Sequence, residues 1–246
     1  MRWFRADIHI HSVLSPCGDL DMSPARIIHE AKNKKLDIIG ITDHNSTKHA
    51  ELMMKLGEKA GIKVIPGIEV NTLEEIHCLA FFENIEKTKA FQDFIDQKLV
   101  KIENVPDKFG QQLLVNEKEE ILEEEKWWLN STISATVNEV EEKVHKLAGV
   151  FIPAHVLRPS NGIYSQIGFI PQNLLVDAIE ISSSTLNSGV YRSKKDLENY
   201  TIITGSDAHY PHIVGSSLTK FFLSKPTLNE IRMALKNKGG RKTRLA

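Results

Sequence analysis

Leu36-Asp37-Ile38-Ile39-Gly40-Ile41-Thr42-Asp43-His44 is a short apolar run that ends in an acid and a histidine. A run of this length, rich in isoleucine and bounded by polar residues, reads as a strand buried on both faces. Before it, Ser23-Pro24 supplies a helix cap and first helical position, and Ile27, Ile28 and Ala31 recur at helical spacing through residues 25–35. After it, a second helix is expected over residues 46–60, stopped by Gly61, and then a strand over 63–68 that ends at Glu69. Strand alternating with helix at this spacing predicts βαβ units and a parallel sheet. The alternation continues. An apolar run covers 76–82, helices are expected at 86–101 and 137–147, and a strand at 150–154 ends at His155. A strand at 176–182, a helix at 192–199 and a strand at 201–204 lead to Gly205-Ser206-Asp207-Ala208-His209. A run at 218–223 and a helix at 228–237 complete it. Residues 105–130 interrupt the pattern. Leu113-Leu114-Val115 and Ile121-Leu122 flank the charged Glu117-Lys118-Glu119-Glu120, which reads as an inserted β-hairpin, with a charged amphipathic helix as the competing reading.

The 246 residues are 41% hydrophobic and 26% charged, the composition of an ordinary globular chain with a sizeable core. Without a compositional break or linker, one domain over 1–246 is the simplest account, carrying the 109–130 insertion and a basic tail at 238–246 that reads as solvated and frayed. A formal net charge of -1 gives no global electrostatic pull toward nucleic acid or membranes. Nucleic acid is therefore not the favoured partner, and no membrane partner is expected. Cys17 and Cys78 are the only cysteines and form no C-x-x-C pair, so a disulfide framework is not expected, and a cytoplasmic location is. No leader-like apolar segment opens the chain. Oligomeric state is left open.

The candidate chemistry begins at Ala6-Asp7-Ile8-His9-Ile10-His11-Ser12. On a strand His9 and His11 share a face, so two neutral imidazoles can bite one metal ion. Alone, such a pair is more often two half-buried histidines. The rest of the chain alters that reading: His44, Glu69, His155 and the Asp207/His209 pair also end apolar strands. In a parallel barrel those ends gather on one rim, where active sites are built.

His9-Ile10-His11-Ser12, Thr42-Asp43-His44-Asn45, Gly67-Ile68-Glu69, Ala154-His155 and Gly205-Ser206-Asp207-Ala208-His209 resemble the successive motifs of the PHP (polymerase and histidinol phosphatase) superfamily, in order from about residue 6 to 224. The resemblance implies an α/β fold, a distorted seven-stranded (β/α) TIM-like barrel, holding two or three divalent ions and hydrolysing phosphate esters with metal-activated water. Carried over by position, it implies one metal on His9, His11, Glu69 and Asp207. Glu69 would bridge to a second on His77 and His155, and a third would lie on Asp19, His44 and His209. Ser15-Pro16-Cys17-Gly18 lengthens the loop that carries the acidic ligand. Counting back from Ser23-Pro24 favours Asp19, with Asp21 and Cys17 as alternatives.

Imidazole and carboxylate donors suit Zn, Mn or Fe, and clustered divalent ions generate hydroxide near neutral pH while neutralising phosphate oxygens. No protein nucleophile is required, and neither a G-x-S-x-G elbow nor a Walker loop is present. Around the ligands, Asp43 is expected to orient a histidine, and Arg158, His212 and Arg192 are candidate substrate contacts. Glu180 reads as an extra ligand or base, or as a paired structural carboxylate. His29, His49 and His145 fall within helical segments and are expected to carry no chemistry, and Trp127-Trp128 to anchor the insertion. The expected function is hydrolysis of a small phosphomonoester or nucleotide. The alternatives are an exonuclease, an amidohydrolase-type enzyme and a non-catalytic metal-binding module.

Overall fold

A computed structural model describes residues 1–246. Its strands are β1 (Arg2–Ile10), β2 (Ile38–Ile41), β3 (Lys63–Asn71), β4 (His77–Phe81), β5 (Leu113–Val115), β6 (Ile121–Glu124), β7 (Val150–Pro153), β8 (Ile179–Glu180), β9 (Ile202–Ile203), β10 (Thr219–Leu223) and β11 (Lys242–Leu245). The helices are α1 (Pro24–Asn33), α2 (Ala50–Ala60), α3 (Ile85–Lys98), α4 (Pro106–Phe109), α5 (Val137–Lys146), α6 (Ile163–Gln166), α7 (Ser183–Ser188) and α8 (Leu228–Leu235). No helix is long and apolar enough to cross a membrane.

Seven strands form one curled sheet in the order β11-β10-β1-β2-β3-β4-β7, and β5–β6 and β8–β9 are separate two-stranded sheets. The expectation of a wholly parallel sheet is corrected. Only the β1–β2 and β2–β3 pairings in the large sheet are parallel, whereas β4 is antiparallel to both β3 and β7, and β10 to both β1 and β11. Residues 72–76 explain the first reversal: so short a connection returns the chain beside β3 but cannot make the crossover of a dozen or more residues that a parallel partner needs. The basic tail is also not a free end. Residues Lys242–Leu245 pair with β10, with Arg244 4.6 Å from the Trp3 ring centroid. Lysine and arginine on such an edge discourage further strand addition. The helix expected at 192–199 is instead two 3-10 turns, Val190–Ser193 and Lys195–Asn199.

Side-chain alternation sorts the core. Along β4, Leu79 and Phe81 join the cluster of Phe4, Ala6, Ile38, Ile65 and Phe221, while Cys78 and Ala80 join Ile68, Phe91, Val140 and Phe151 on the other face. Ile39 and Ile41 of β2 pack on Ile27 and Ala31 of α1 and Met53 of α2. The helices start where capping chemistry permits: Ser23 accepts from the Arg26 N–H with Pro24 following, and Thr136 and Glu139 form a reciprocal capping box. Gly61 stops α2 with φ 74°. The C-terminal ends of β1, β2 and β3 thereby open on one side of the sheet, and β9 feeds into it: beyond β9, Ala208 bridges Ile10 of β1 in parallel.

Candidate metal centre

The Glu69 carboxylate lies among five imidazoles. Its Oε1 is 3.1 Å from His77 Nδ1, 3.1 Å from His155 Nε2 and 3.4 Å from His9 Nε2. Its Oε2 is 3.2 Å from His11 Nε2 and 3.3 Å from His44 Nδ1. Asp207 Oδ1 approaches the Nε2 atoms of both His9 and His11 at 3.3 Å. Glu69 and all five histidines are buried. His209 stacks on His11 with ring centroids 4.4 Å apart and donates from Nδ1 to the Asp207 carbonyl at 2.7 Å, which leaves its Nε2 free.

The backbone pays for this convergence in strain. His155 and Asp207 adopt φ 30° and 50°, the left-handed region that costs a non-glycine residue of order 1–3 kcal/mol. At Gly205 a Cβ would stand 2.7 Å from the His9 Cβ and 2.9 Å from a Glu180 oxygen, so only glycine lets the end of β9 close on β1.

Outside the cluster, polar partners fix the rings. His9 donates from Nδ1 to Glu180, at 2.9 and 3.1 Å to its two oxygens, and the same carboxylate accepts the His155 N–H at 3.1 Å. His11 Nδ1 meets Ser15 Oγ at 3.1 Å, and Ser15 donates to Asp43 at 2.7 Å. Asp43 also accepts the N–H and hydroxyl of Ser12 at 2.6 and 2.7 Å, so it orients His11 through a serine. His49 belongs to the same network. It accepts the Val115 N–H of β5 at Nε2 (3.0 Å), and its Nδ1 meets Ser12 Oγ at 2.7 Å. Burial pushes the His49 pKa down, keeping the ring neutral and able to play both parts.

The electrostatics suit cations. Burial opposes charge on His9, yet Glu180, Glu69 and Asp207 outweigh it and raise its pKa well above the usual imidazole value. His11 is likewise raised to about 9, against burial, by Asp207 and Glu69. His44 is held well below its ordinary value by burial, and His209 is lowered to about 4 by burial and the neighbouring His11 charge. Burial disfavours the Glu69 carboxylate, but the surrounding histidines hold its pKa far down.

Donor atoms that lie within 4.8 Å of one another fall into three groups: His9, His11, Glu69 and Asp207; His44, Glu69 and His77; and His11, Cys17, His44 and His209. Nitrogens of His44, His77 and His155 are buried without a hydrogen-bond partner. Of these, His44 Nδ1 faces Glu69 Oε2 at 3.3 Å, while His77 and His155 each turn their other nitrogen to Glu69; buried imidazoles gathered on carboxylates with nitrogens left unpaired fit divalent ions.

Other expected residues fall elsewhere. Asp19 does not join the cluster: its carboxylate accepts the N–H of Asp21 at 2.9 Å, and the Cys17 sulfur stands with the histidines instead. Asp21 is exposed on the same loop. Arg158 donates to Asp207 at 3.1 Å on the rim of a 310 Å³ cavity that also takes in Ser182, Ser184, Thr185 and Ser206. His212 is exposed beside Tyr210, and Arg192 is exposed over Tyr191; neither lines that cavity. Of the two readings of Glu180, the structure bears out the paired carboxylate: it is buried and bonded to His9 and the His155 N–H, though the sequence does not name those partners. His145, expected to be inert, bridges Glu141 and Asp177 remote from the cluster.

Residues 7–155 match the family model described as the PHP domain. Over 98% of its length the chain is 23% identical to YqxK of Bacillus subtilis (strain 168), an uncharacterized protein of which it spans 64%. The lesion-specific endonuclease EndoQ of Pyrococcus furiosus is similar in fold, with a TM-score of 0.74 at 22% identity over 98% of this chain and 57% of that one. An endonuclease Q complex with a 27-mer duplex carrying an abasic lesion gives a TM-score of 0.75 at 22% identity, over 98% and 58%. A putative metal-dependent phosphoesterase from Bifidobacterium adolescentis gives 0.57 at 18% identity, over 90% and 89%. The matched stretch contains the strand ends that bear His9, His11, His44, Glu69, His77 and His155, and the chain belongs to the PHP domain family.

Proposed function

We propose that this chain is a metal-dependent hydrolase of phosphate esters, acting on a small phosphorylated substrate. The observation that carries this reading is the single buried carboxylate of Glu69 set among five imidazoles, with Asp207 facing two of them. One ion would be held by His9, His11, Glu69 and Asp207, a second by Glu69, His77 and His155, and a third at His44 and His209, with Glu69 shared. Divalent ions bound there supply a nucleophile from water at neutral pH and neutralise charge on phosphate oxygens. Glu180 and the Ser15–Asp43 pair hold His9 and His11 with Nε2 toward the cluster. Arg158 gives one Nη to Asp207 and keeps its remaining N–H groups for a phosphate. The adjoining cavity is walled by hydroxyls without large apolar side chains, which suits a hydroxylated phosphoester better than a stacked base. We infer also that β8–β9 and the curled sheet together make the distorted barrel of the family, supported by the Asp177 N–H to Phe151 carbonyl bond (3.0 Å) and the Ile10–Ala208 bridge.

A second reading, hydrolysis of nucleic acid, is favoured by the likeness in fold to endonuclease Q, which spans nearly the whole chain. The test is metal analysis of the purified protein, then a screen of phosphorylated metabolites and of lesion-bearing and intact oligonucleotides over a range of salt. Turnover of small phosphoesters that is abolished by chelator and restored by Zn, Mn or Fe is expected. Turnover only of oligonucleotides, fading steeply with salt, would replace the first reading with the second. A protein that takes up none of the three metals would refute both.

A further inference from the structure

We infer that Cys17 supplies a thiolate ligand to the third ion, at the position where a carboxylate from Asp19 is expected. The inference rests on the metal-binding part of the function proposed above and adds the identity of a donor.

Two independent observations place the sulfur there. The Cys17 sulfur and one donor nitrogen each from His11, His44 and His209 lie within 4.8 Å of one another. His44 Nδ1 is buried without a hydrogen-bond partner and stands 3.3 Å from Glu69 Oε2, so His44 carries an unsatisfied nitrogen where this group adjoins Glu69. Competing demands then select the donors. His11 turns Nε2 toward Glu69 and Asp207 at 3.2 and 3.3 Å and binds Ser15 through Nδ1, so both its nitrogens are engaged in the neighbouring grouping. Cys17 and His209, whose Nε2 has no partner, remain, together with His44, which turns one nitrogen to Glu69 and keeps the other. Three protein ligands with one position left for water or substrate is the coordination of catalytic rather than structural zinc.

The loop is built to present the sulfur. The Gly18 N–H bonds to the Ser15 carbonyl at 2.9 Å and the Asp19 N–H to the His209 carbonyl at 2.9 Å, so the turn closes on both sides of Cys17. At Gly18 a Cβ would lie 2.4 Å from the Ser12 carbonyl oxygen, and a side chain there would open the turn. Asp19, by contrast, folds its carboxylate back onto the Asp21 N–H of its own loop. A thiolate also changes metal preference. It favours zinc over the manganese that an all-nitrogen-and-oxygen site accommodates, and on binding the thiol proton passes to solvent.

The experiment is cobalt(II) reconstitution of the full chain in the wild type and in Cys17→Ser and Asp19→Asn variants. It reads the sulfur-to-cobalt charge-transfer absorption, the cobalt stoichiometry and the circular dichroism spectrum. We expect the band in the wild type and in Asp19→Asn, and its loss in Cys17→Ser together with one equivalent of cobalt. A parallel measurement needs no variant: alkylation of Cys17 by iodoacetamide should slow at least tenfold when zinc is added, with buried Cys78 unlabelled in either state. Cobalt bound without a sulfur band, a band that survives Cys17→Ser, or loss of an ion in Asp19→Asn alone would overturn the assignment and leave the metal centre standing. A wild type that takes up no cobalt would overturn both.

Discussion

Replacing Glu180 by glutamine separates the role of this carboxylate from that of the ligands themselves. Glu180 is 2% exposed, accepts from His9 Nδ1 with both oxygens (2.9 and 3.1 Å) and from the His155 N–H with one (3.1 Å). A glutamine of the same shape can leave its oxygen where it accepts both donors. Its NH2 then stands where the other oxygen was, facing the His9 Nδ1–H donor to donor. One charge-assisted bond is lost and the remaining ones become neutral; hydrogen bonds to charged groups contribute about 1.5–3 kcal/mol each. His9 also loses the anion that makes its Nε2 a better electron donor. Partners of this kind typically contribute 10–100-fold to metal affinity, equivalent to about 1.4–2.7 kcal/mol, and the hydrogen-bond estimate falls in the same range. We therefore expect Glu180→Gln to weaken the tightest zinc site roughly 10–100-fold, measured by competition with a chromophoric chelator, with a native circular dichroism spectrum. Wild-type zinc affinity in a folded Glu180→Gln protein would refute the reasoning, because the His9–Glu180 contact would then be a packing accident.

Three further outcomes are expected. Gly18→Ala places a methyl 2.4 Å from the Ser12 carbonyl oxygen, so it should destabilise the protein by about 1–3 kcal/mol in urea melts and lower its zinc content. Ser12→Ala leaves the buried Nδ1–H of His49 without an acceptor and Asp43 with one donor fewer, which should cost about 1–3 kcal/mol in the same melts. The third concerns pH. The hydrogen bond to Asp177, then the Asp177 and Glu141 charges, outweigh partial burial and raise the His145 pKa above its unfolded value. Its contribution is thus complete below about pH 6.5 and lost as pH rises through the folded-state pKa. His145→Gln should cost about 1 kcal/mol near pH 5.5, a figure reduced for partial solvent exposure, and close to nothing at pH 9. A pH-independent difference between the two proteins would contradict this.

How much of this was written in the order of the residues depends on which interaction decided each feature. Helices and strand positions follow from local periodicity and caps, as at Ser23-Pro24 and Gly61, and the residues at the ends of β1, β2, β3 and β7 stand out because apolar runs stop at them. Strand direction does not show in periodicity: β4 reads the same whether parallel or antiparallel, and only the short 72–76 connection tells them apart. Glu180 stands out as an acid inside an apolar stretch, but its partner does not, because β8 is two residues long and His9 is distant in the chain. Cys17 and Asp19 are two residues apart on one loop, and the choice between them is made by the turn that Gly18 permits and by the tether to His209. His49 looks like any helix-start histidine until β5 brings the Val115 N–H to it.

The Asp7 carboxylate, lifted to a pKa of about 6 by burial although Ser206 and Gly215 donate to it, ties the first strand to a segment some two hundred positions later. Few of the contacts around the metal centre are local: a nascent chain halted before residue 205 could pair β1, β2 and β3 and so gather His9, His11, His44 and Glu69, but would lack Asp207 and His209. Contacts of such long sequence separation slow folding. They also mean that the full donor set would be complete only when the last loop closes, so an ion needing Asp207 or His209 would be held late in folding.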